Sequence, residues 1–412
     1  MKRIFSLIFL SLLIVSATLA QDYSGEQGSM RMRHNQTSAG INISLWRNIS
    51  TQRIDTTGST WLNLGVFSSM NRLNGPGVNM IGSIVRKEVN GIQVAGLSNM
   101  VGGKMRGIQV AGITNINGSL SGISVSGLVG ITGNNAQGLT LSGLATINGN
   151  HSRGISIGGL LNINGDAAAG AQLAGLANVS GGSLKGFTGA GLLNIVGEHL
   201  NGAQLSALAN IIAGNMVGIQ FSGIGNVVGG TAKGVQIGAA NIAVHAKGVQ
   251  IGLFNYYKNS LDGFQLGLVN ANPQTKVQLM LFAGNATKLN AGARFKNKLF
   301  YTILGGGTHY LDFGDKFSAA LFYRAGLELP LYKQLFISGD LGYQHIETFK
   351  NKNDEIPARL YALQARVNLE YRLHDGLGIF LTGGYGSSRH YTRNKCYDKG
   401  VIVEAGVVLF KY

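Results

Sequence analysis

The chain has 412 residues, of which 63 are glycine and only four are proline, and its formal net charge is +16. Its single cysteine, Cys396, excludes an intramolecular disulfide framework and a cysteine-based zinc site. The basic residues are spread along the chain and form no run interleaved with aromatic residues, so we expect no nucleic-acid partner.

The first residues have the features of an export signal. Lys2 and Arg3 precede an apolar run that ends at Val15, and small residues lead to a cleavage site after Ala20. The run is too short to span a bilayer as a permanent helix. No later segment has about eighteen consecutive apolar residues, so a mature chain embedded in a membrane would have to form a closed β-barrel. We therefore expect residues 1–20 to be a signal peptide.

Residues 21–90 form an N-terminal β segment. The stretches INISLWRNIS, from Ile41, and WLNLGVFSSM, from Trp61, alternate between apolar and polar residues as strands do. Such strands could cap a following domain or join a barrel, and the pattern does not choose between the two.

Residues 91–272 are a glycine-rich array of repeats. Thirty-nine of the glycines lie within residues 91–270, a density that excludes helices because each glycine costs about 1 kcal/mol in a helix interior. The regular spacing of fourteen to sixteen residues indicates a repeat architecture built from strands. The units begin at Gly91, Gly107, Gly122, Gly138, Gly154, Gly170, Gly186, Gly202, Gly218, Gly234, Gly248 and Gly263.

Within a unit, apolar residues flank a polar one. Ile92 and Val94 stand on either side of Gln93, which predicts a strand with one face buried, and the ninth position is usually asparagine, as at Asn99. Two architectures fit. In a solenoid each unit is one coil and equivalent glutamines and asparagines stack into hydrogen-bonded ladders. In the alternative, each unit is one strand of a continuous β-barrel of about twenty strands.

We prefer the solenoid-like array for two reasons. The alternation slips between the fourth and seventh positions, as it would at the corner of a coil. The array also holds only six aromatic residues and no tryptophan, whereas lipid-facing strands usually carry aromatic girdles.

The units GIQVAGLSNMVGG, GIQFSGIGNVVGG and GVQIGLFNYYK resemble those of a bacterial surface-repeat family found in leptospires and Bacteroidetes. The resemblance covers about residues 60–270 and extends to the layout of signal peptide, array and outer-membrane-like C-terminal region. It implies placement at the cell surface or outer membrane, with an unknown surface ligand and no catalytic residues. Gly130 and Thr146 replace the usual asparagine and Ala207 replaces a glycine, which puts the ladders in question there.

Residues 273–412 have a different composition, with 21 phenylalanines and tyrosines between residues 271 and 412. The segment RLYALQARVNLEYRL, Arg359–Leu373, places apolar and polar residues on opposite faces. Tyr361 and Tyr371 are separated by roughly 33 Å along a strand, which fits a tilted strand of an outer-membrane barrel. The chain ends in Phe410 and Tyr412 on one face of a strand, which resembles the recognition signal of such barrels.

This region predicts an antiparallel outer-membrane-type β-barrel of about eight strands, and a soluble periplasmic sandwich is the alternative. The predicted strands are Val277–Ala283, Asn290–Phe295, Leu299–Leu304, Ala319–Leu331, Leu335–Tyr343, Arg359–Leu373, Gly376–Tyr385 and Val401–Tyr412.

Candidate chemistry is sparse. The eight histidines never fall into a metal-ligand spacing such as HExxH, and GIGNVVGG at residues 223–230 lacks the Lys-Ser/Thr of a phosphate loop. The only enzyme-like group, Thr308, His309, Asp312 and Asp315, lies near a strand end and its loop. We predict no catalytic, cofactor-binding or metal-binding residue and no cofactor.

All-β architecture, export and repetition together indicate a non-enzymatic cell-surface or outer-membrane protein with a structural or adhesion-like binding role. The alternative is an outer-membrane pore formed by a single large barrel.

Overall fold

The computed structural model describes residues 40–46, 49–51, 58–308, 311–312, 316–351, 358–391 and 394–410. Every regular element in these ranges is a β-strand, as the sequence predicts. No helix among them has the length and apolar character needed to cross a membrane. The chain forms two compact units, one ending at Gly214 and the other beginning at Asn215.

The described part of the first unit consists of short stacked strands. They are β1 (Ile41–Trp46), β2 (Ile49–Ser50), β3 (Ser59–Thr60), β4 (Leu62–Leu73), β5 (Pro76–Ala95), β6 (Ser98–Ala111), β7 (Thr114–Ser126), β8 (Val129–Thr132), β9 (Ala136–Ser142), β10 (Ala145–Asn148), β11 (Ser152–Gly158), β12 (Leu161–Asn164), β13 (Ala168–Ala174), β14 (Ala177–Ser180), β15 (Leu184–Ala190), β16 (Leu193–Val196), β17 (Leu200–Ser206) and β18 (Ala209–Ile212).

Equivalent strands of successive units pair in parallel and in register. Gly154 of β11 lies opposite Gly138 of β9 on one side and Gly170 of β13 on the other. The four-residue strands form a second row, in which β12 pairs with β10 and β14. Each unit is therefore one coil with a long and a short strand. This confirms the solenoid-like array, and the single barrel of about twenty strands is wrong.

The N-terminal strands belong to the same kind of stack. β1 pairs in parallel with β4, β4 with β5, and β5 with β6. The sequence left open whether these strands cap the array or join a barrel. The structure shows that they stack on the array.

The first glycine of each unit is required by two independent features. Among the described glycines, those with positive φ are the twelve that begin the units. At Gly154, with φ of 122°, an added Cβ would lie 2.1 Å from the carbonyl oxygen of Gly138 in the preceding coil. A side chain here would meet both an unfavourable backbone conformation and the neighbouring backbone.

The strands bury their polar face and expose their apolar face, which is the reverse of the usual arrangement. Gln93 is fully buried, whereas Ile92, next to it, is 47% exposed. The alternation is confirmed, but the polar positions face the interior of the coil and the apolar ones face outward. Stacking explains this where equivalent amides hydrogen-bond from coil to coil, as Gln109 does to Gln93 at 3.1 Å.

Asparagine and glutamine side chains form the expected ladders. Asn178 donates from Nδ2 to Oδ1 of Asn194 at 2.9 Å and accepts from Nδ2 of Asn162 at 2.8 Å. Thr146 continues this ladder by donating to Asn162. Gly130 has no side chain to contribute, and the ladder is interrupted there.

The second unit begins with further coils and continues into a barrel. Its strands are β19 (Met216–Ser222), β20 (Gly225–Ile237), β21 (Ala240–Ile251), β22 (Phe254–Leu266), β23 (Val269–Ala271), β24 (Lys276–Gly284), β25 (Leu289–Asn297), β26 (Phe300–Thr308), β27 (Leu311–Asp312), β28 (Lys316–Tyr332), β29 (Leu335–Asn351), β30 (Arg359–His374), β31 (Leu377–His390) and β32 (Cys396–Leu409).

Strands β19 to β23 pair in parallel, and the eight strands β24–β26 and β28–β32 pair in antiparallel order. The barrel closes because β24 pairs with both β25 and β32. All eight predicted strands are present, although most are longer than predicted. Tyr412 of the predicted last strand lies outside the described residues.

The two ends of the barrel differ in the length of their connections. At one end, β25–β26, β28–β29 and β30–β31 are each joined by two residues. At the other end the connections are longer, from four residues between β24 and β25 to seven between β29 and β30. The coils join the barrel at the two-residue end, through residues 272–275.

Candidate functional site

The barrel interior is occupied by ionic side chains that cross it. Arg324 of β28 makes a bidentate contact with Glu404 of β32, at 2.8 and 3.1 Å. Arg366 of β30 adds a contact of 3.3 Å to the same carboxylate. Because β28 and β32 are four strands apart in an eight-stranded ring, this pair spans the full width of the barrel.

A second ionic cluster lies closer to the two-residue turns. Arg294 of β25 contacts Glu370 of β30 at 2.6 Å, again across the barrel. Glu328 of β28 pairs with Lys296 and Arg372. Glu370 also pairs with Arg372 at 3.3 Å. The carboxylates of this cluster are buried. Each of them contacts at least two cations, which compensate its buried charge.

Aromatic and aliphatic side chains fill the space around these ions. Arg324 lies between the rings of Phe282 and Phe322, 4.7 Å from each ring centre. Tyr301 donates to Asp340 at 3.0 Å. The free space left among these groups is about 10 Å³, which is close to the volume that one water needs. A larger cavity of about 120 Å³ lies at the longer-loop end, beside Gln344 and Gln364.

The outer wall of the barrel is apolar. Leu341 of β29 is 72% exposed, and other strands of the barrel also expose large apolar residues. Exposed members of this wall include Val277, Leu281, Leu321, Leu327, Leu329, Leu363, Val367, Leu369, Ile379, Leu381, Val401 and Val403. A filled polar interior with an apolar exterior is the pattern of small outer-membrane barrels.

An aromatic cluster lies on this wall toward the longer-loop end. Tyr391 stacks edge-on against Tyr361, with ring centres 5.2 Å apart, and its hydroxyl hydrogen-bonds to Tyr343 and to Nδ1 of His345. Partial burial and the hydrogen bond with Tyr343 raise the pKa of Tyr391 to about 12. The hydroxyl of Tyr391 therefore stays protonated at physiological pH.

The last coil packs on the outside of the barrel wall. Phe264 meets Phe300 edge-on, with ring centres 6.5 Å apart, and the hydroxyl of Tyr323 donates to the carbonyl of Gly267 at 2.7 Å. Thr302 alternates onto the outer face of β26 and is nevertheless 0% exposed. Part of the wall is therefore covered by protein.

The chemically suggestive residues of the sequence do not converge. Thr308 ends β26, the side chain of Asp312 is not among the described ones, and His309 and Asp315 lie outside the described residues. His151 pairs with Asp166 at 3.4 Å and His245 hydrogen-bonds to Ser260 at 2.8 Å, both on the surface. In the described part of the chain, no group of three or more histidines, cysteines and acids could hold a metal ion.

Sequence reasoning placed Arg366, Glu370 and Arg372 on the polar face of one strand but did not find their partners. Their partners on other strands lie up to 76 residues away in the chain, as Arg294 does from Glu370. The only available signal was that a charged residue recurs on otherwise apolar strands, as at Arg294, Arg324 and Glu404.

No protein-family model matches this chain, and a search of curated proteins finds no match either.

Proposed function

We propose that this protein is a non-enzymatic outer-membrane protein in which the eight-stranded barrel is the anchor and the coils are the scaffold that it holds. The observation that carries the proposal is the inside-out character of the barrel. Ion pairs such as Arg324–Glu404 are buried inside, while the wall outside is built of leucine, valine and isoleucine. A water-soluble sandwich would have its apolar side chains inside.

An anchor explains the interior better than a pore does. A channel needs a continuous lumen, whereas ionic side chains here meet across the full barrel diameter. The pore alternative also relied on a single large barrel, and the coils form none.

The lengths of the connections suggest which end of the barrel faces the periplasm. Outer-membrane barrels have short periplasmic turns and longer extracellular loops. The coils enter at the two-residue end, so we favour the periplasmic side for them over the surface position that the resemblance to surface-repeat proteins implies. That resemblance supports the outer-membrane address itself.

The proposal is tested with the full chain expressed in a Gram-negative host. We expect recovery in the outer-membrane fraction, a band whose gel mobility changes on boiling, and no current steps in planar bilayers in which a porin control conducts. Recovery in the soluble periplasmic fraction would remove the anchor. Stable current steps would favour the pore.

A further inference from the structure

We propose that the apolar surface of the second unit's coils, residues 216–271, is itself a lipid-binding surface, which inserts into the membrane leaflet beside the barrel. The inference rests on the proposed function, because it takes the barrel to be the membrane anchor. Its occupant is the acyl-chain layer of one leaflet, with phospholipid headgroups at the charged side of the coils.

The first observation is the division of each coil into two sides. The apolar side comprises the second to tenth positions of a unit, whose outward residues are aliphatic or aromatic. Members of this side are exposed in the second unit's coils that begin at Gly218, Gly248 and Gly263, namely Ile219, Phe221, Ile224, Leu253 and Leu266. An exposed apolar surface of this extent marks an interaction site.

The charged side comprises the remaining positions, from the eleventh to the glycine that starts the next unit. Every lysine, arginine, aspartate and glutamate between residues 91 and 270 lies there, and none lies at the first ten positions of a unit. These residues are Lys104, Arg106, Arg153, Asp166, Lys185, Glu198, Lys233, Lys247, Lys258 and Asp262. Basic residues predominate, which suits anionic headgroups.

The second observation is the height of the apolar side. From the second to the seventh position the chain advances five residues, or roughly 17 Å at the rise of a strand. The hydrocarbon core of a bilayer is about 30 Å thick, so one leaflet contributes roughly 15 Å. The apolar side therefore matches one leaflet and is too short to span two.

The third observation is that backbone amides at the apolar corner donate to carbonyls of the preceding coil. We define the apolar corner as the sixth to eighth positions, where each coil turns. In the second unit Leu253 donates its amide to Ala239 at 2.9 Å and Val269 donates to Leu253 at 2.9 Å. In the first unit Leu160 donates to Leu144 at 2.8 Å in the same way. Lipid tolerates only backbone whose polar groups are satisfied internally.

The fourth observation is the position of the last coil on the wall. Phe264 contacts Phe300, which begins β26 at the two-residue end. Gly267, nearer the apolar corner, is bound by Tyr323, which is aligned with Leu304, four residues further along β26. The apolar corner of this coil is therefore directed toward the middle of the wall. Lipid that covers the wall would also cover the corner.

The experiment uses the full chain in phospholipid vesicles, with a fluorescent label on single cysteines in a Cys396→Ser background. Leu253→Cys reports the apolar corner, where the native side chain is 59% exposed. Asn259→Cys is the matched control on the charged side of the same coil, and Leu341→Cys reports the barrel wall. Quenchers are a phospholipid with a nitroxide on its acyl chain and, separately, aqueous iodide.

We expect the nitroxide to quench the labels at 253 and 341 by about twofold or more relative to the label at 259, and iodide to show the opposite order. If only the label at 341 responds to the nitroxide, the lipid surface is refuted and the anchor stands. If the label at 341 also fails to respond, the proposed function falls with it. Protection of the label at 253 from both quenchers would mean that protein covers this surface, and would overturn the proposal.

Discussion

Arg324 and Glu404 lie on opposite strands of the barrel and meet in its centre, with two nitrogen–oxygen contacts of 2.8 and 3.1 Å. Both side chains are buried. Water cannot solvate either charge there, so the charge of Arg324 and the charge of Glu404 stabilise each other. This pair therefore joins the two sides of the barrel and at the same time occupies the lumen.

Glu404→Gln should strongly destabilise the barrel. The substitution leaves Arg324 and Arg366 without their shared carboxylate, and an uncompensated buried charge costs about 3–5 kcal/mol. Chemical unfolding of the full chain, followed by the boiling-sensitive gel mobility, measures the effect. The matched control is Glu347→Gln, which removes an exposed ion pair with Arg359 of 3.0 Å and should change the unfolding far less than Glu404→Gln. Equal effects would refute the assigned role of the interior pair.

Gly154→Ala should destabilise the coils. Its Cβ would lie 2.1 Å from the carbonyl oxygen of Gly138, and alanine disfavours the φ of 122° found there. We expect a cost of about 1–3 kcal/mol in the unfolding of the array, measured by circular dichroism. Gly133→Ala is the control, because its Cβ would meet no atom closer than 3.7 Å. A stable Gly154→Ala variant would contradict the close stacking of the glycines.

Asn178→Ala should show that the asparagine ladder stabilises the coils. It removes the hydrogen bonds that join Asn178 to Asn194 and Asn162, and it frees the Gly189 carbonyl, which Asn178 binds at 2.8 Å. A buried polar group left unsatisfied costs about 1–3 kcal/mol. Thermal unfolding should therefore begin at a lower temperature.

The control for the ladder is Asn150→Ala, at an exposed turn position, which should change the free energy of unfolding by less than about 0.5 kcal/mol. A variant at 178 that is as stable as this control would mean that the ladder accompanies stacking without contributing to it.

Cys396 should report the orientation of the barrel. It is exposed and begins β32 at the longer-loop end. We expect a large, membrane-impermeant maleimide to label it in intact cells. In a Cys396→Ser background, Asn259→Cys on the coils should be labelled only after the outer membrane is permeabilised. Labelling of both sites in intact cells would place the coils outside the cell.

The register of the repeats and the strands of the barrel could be predicted from the sequence alone. The twelve glycines that begin the units are the ones with positive φ, because only glycine tolerates that backbone next to a neighbouring carbonyl. The alternation in Arg359–Leu373 likewise identified which residues share a face of β30. The glycine positions and the side-chain alternation can each be read from a short segment of sequence. The alternation follows from the backbone period of two.

Which face of a strand is buried, and which residues contact each other, depends on the tertiary structure. A period of two separates Ile92 from Gln93 but does not say which of them faces inward. Gln93 is buried because its Oε1 accepts a hydrogen bond of 3.1 Å from Nε2 of Gln109 in the next coil. Arg324 finds Glu404 only because the barrel closes. Contacts between residues so far apart in the chain depend on the arrangement of whole strands, and no local pattern encodes them.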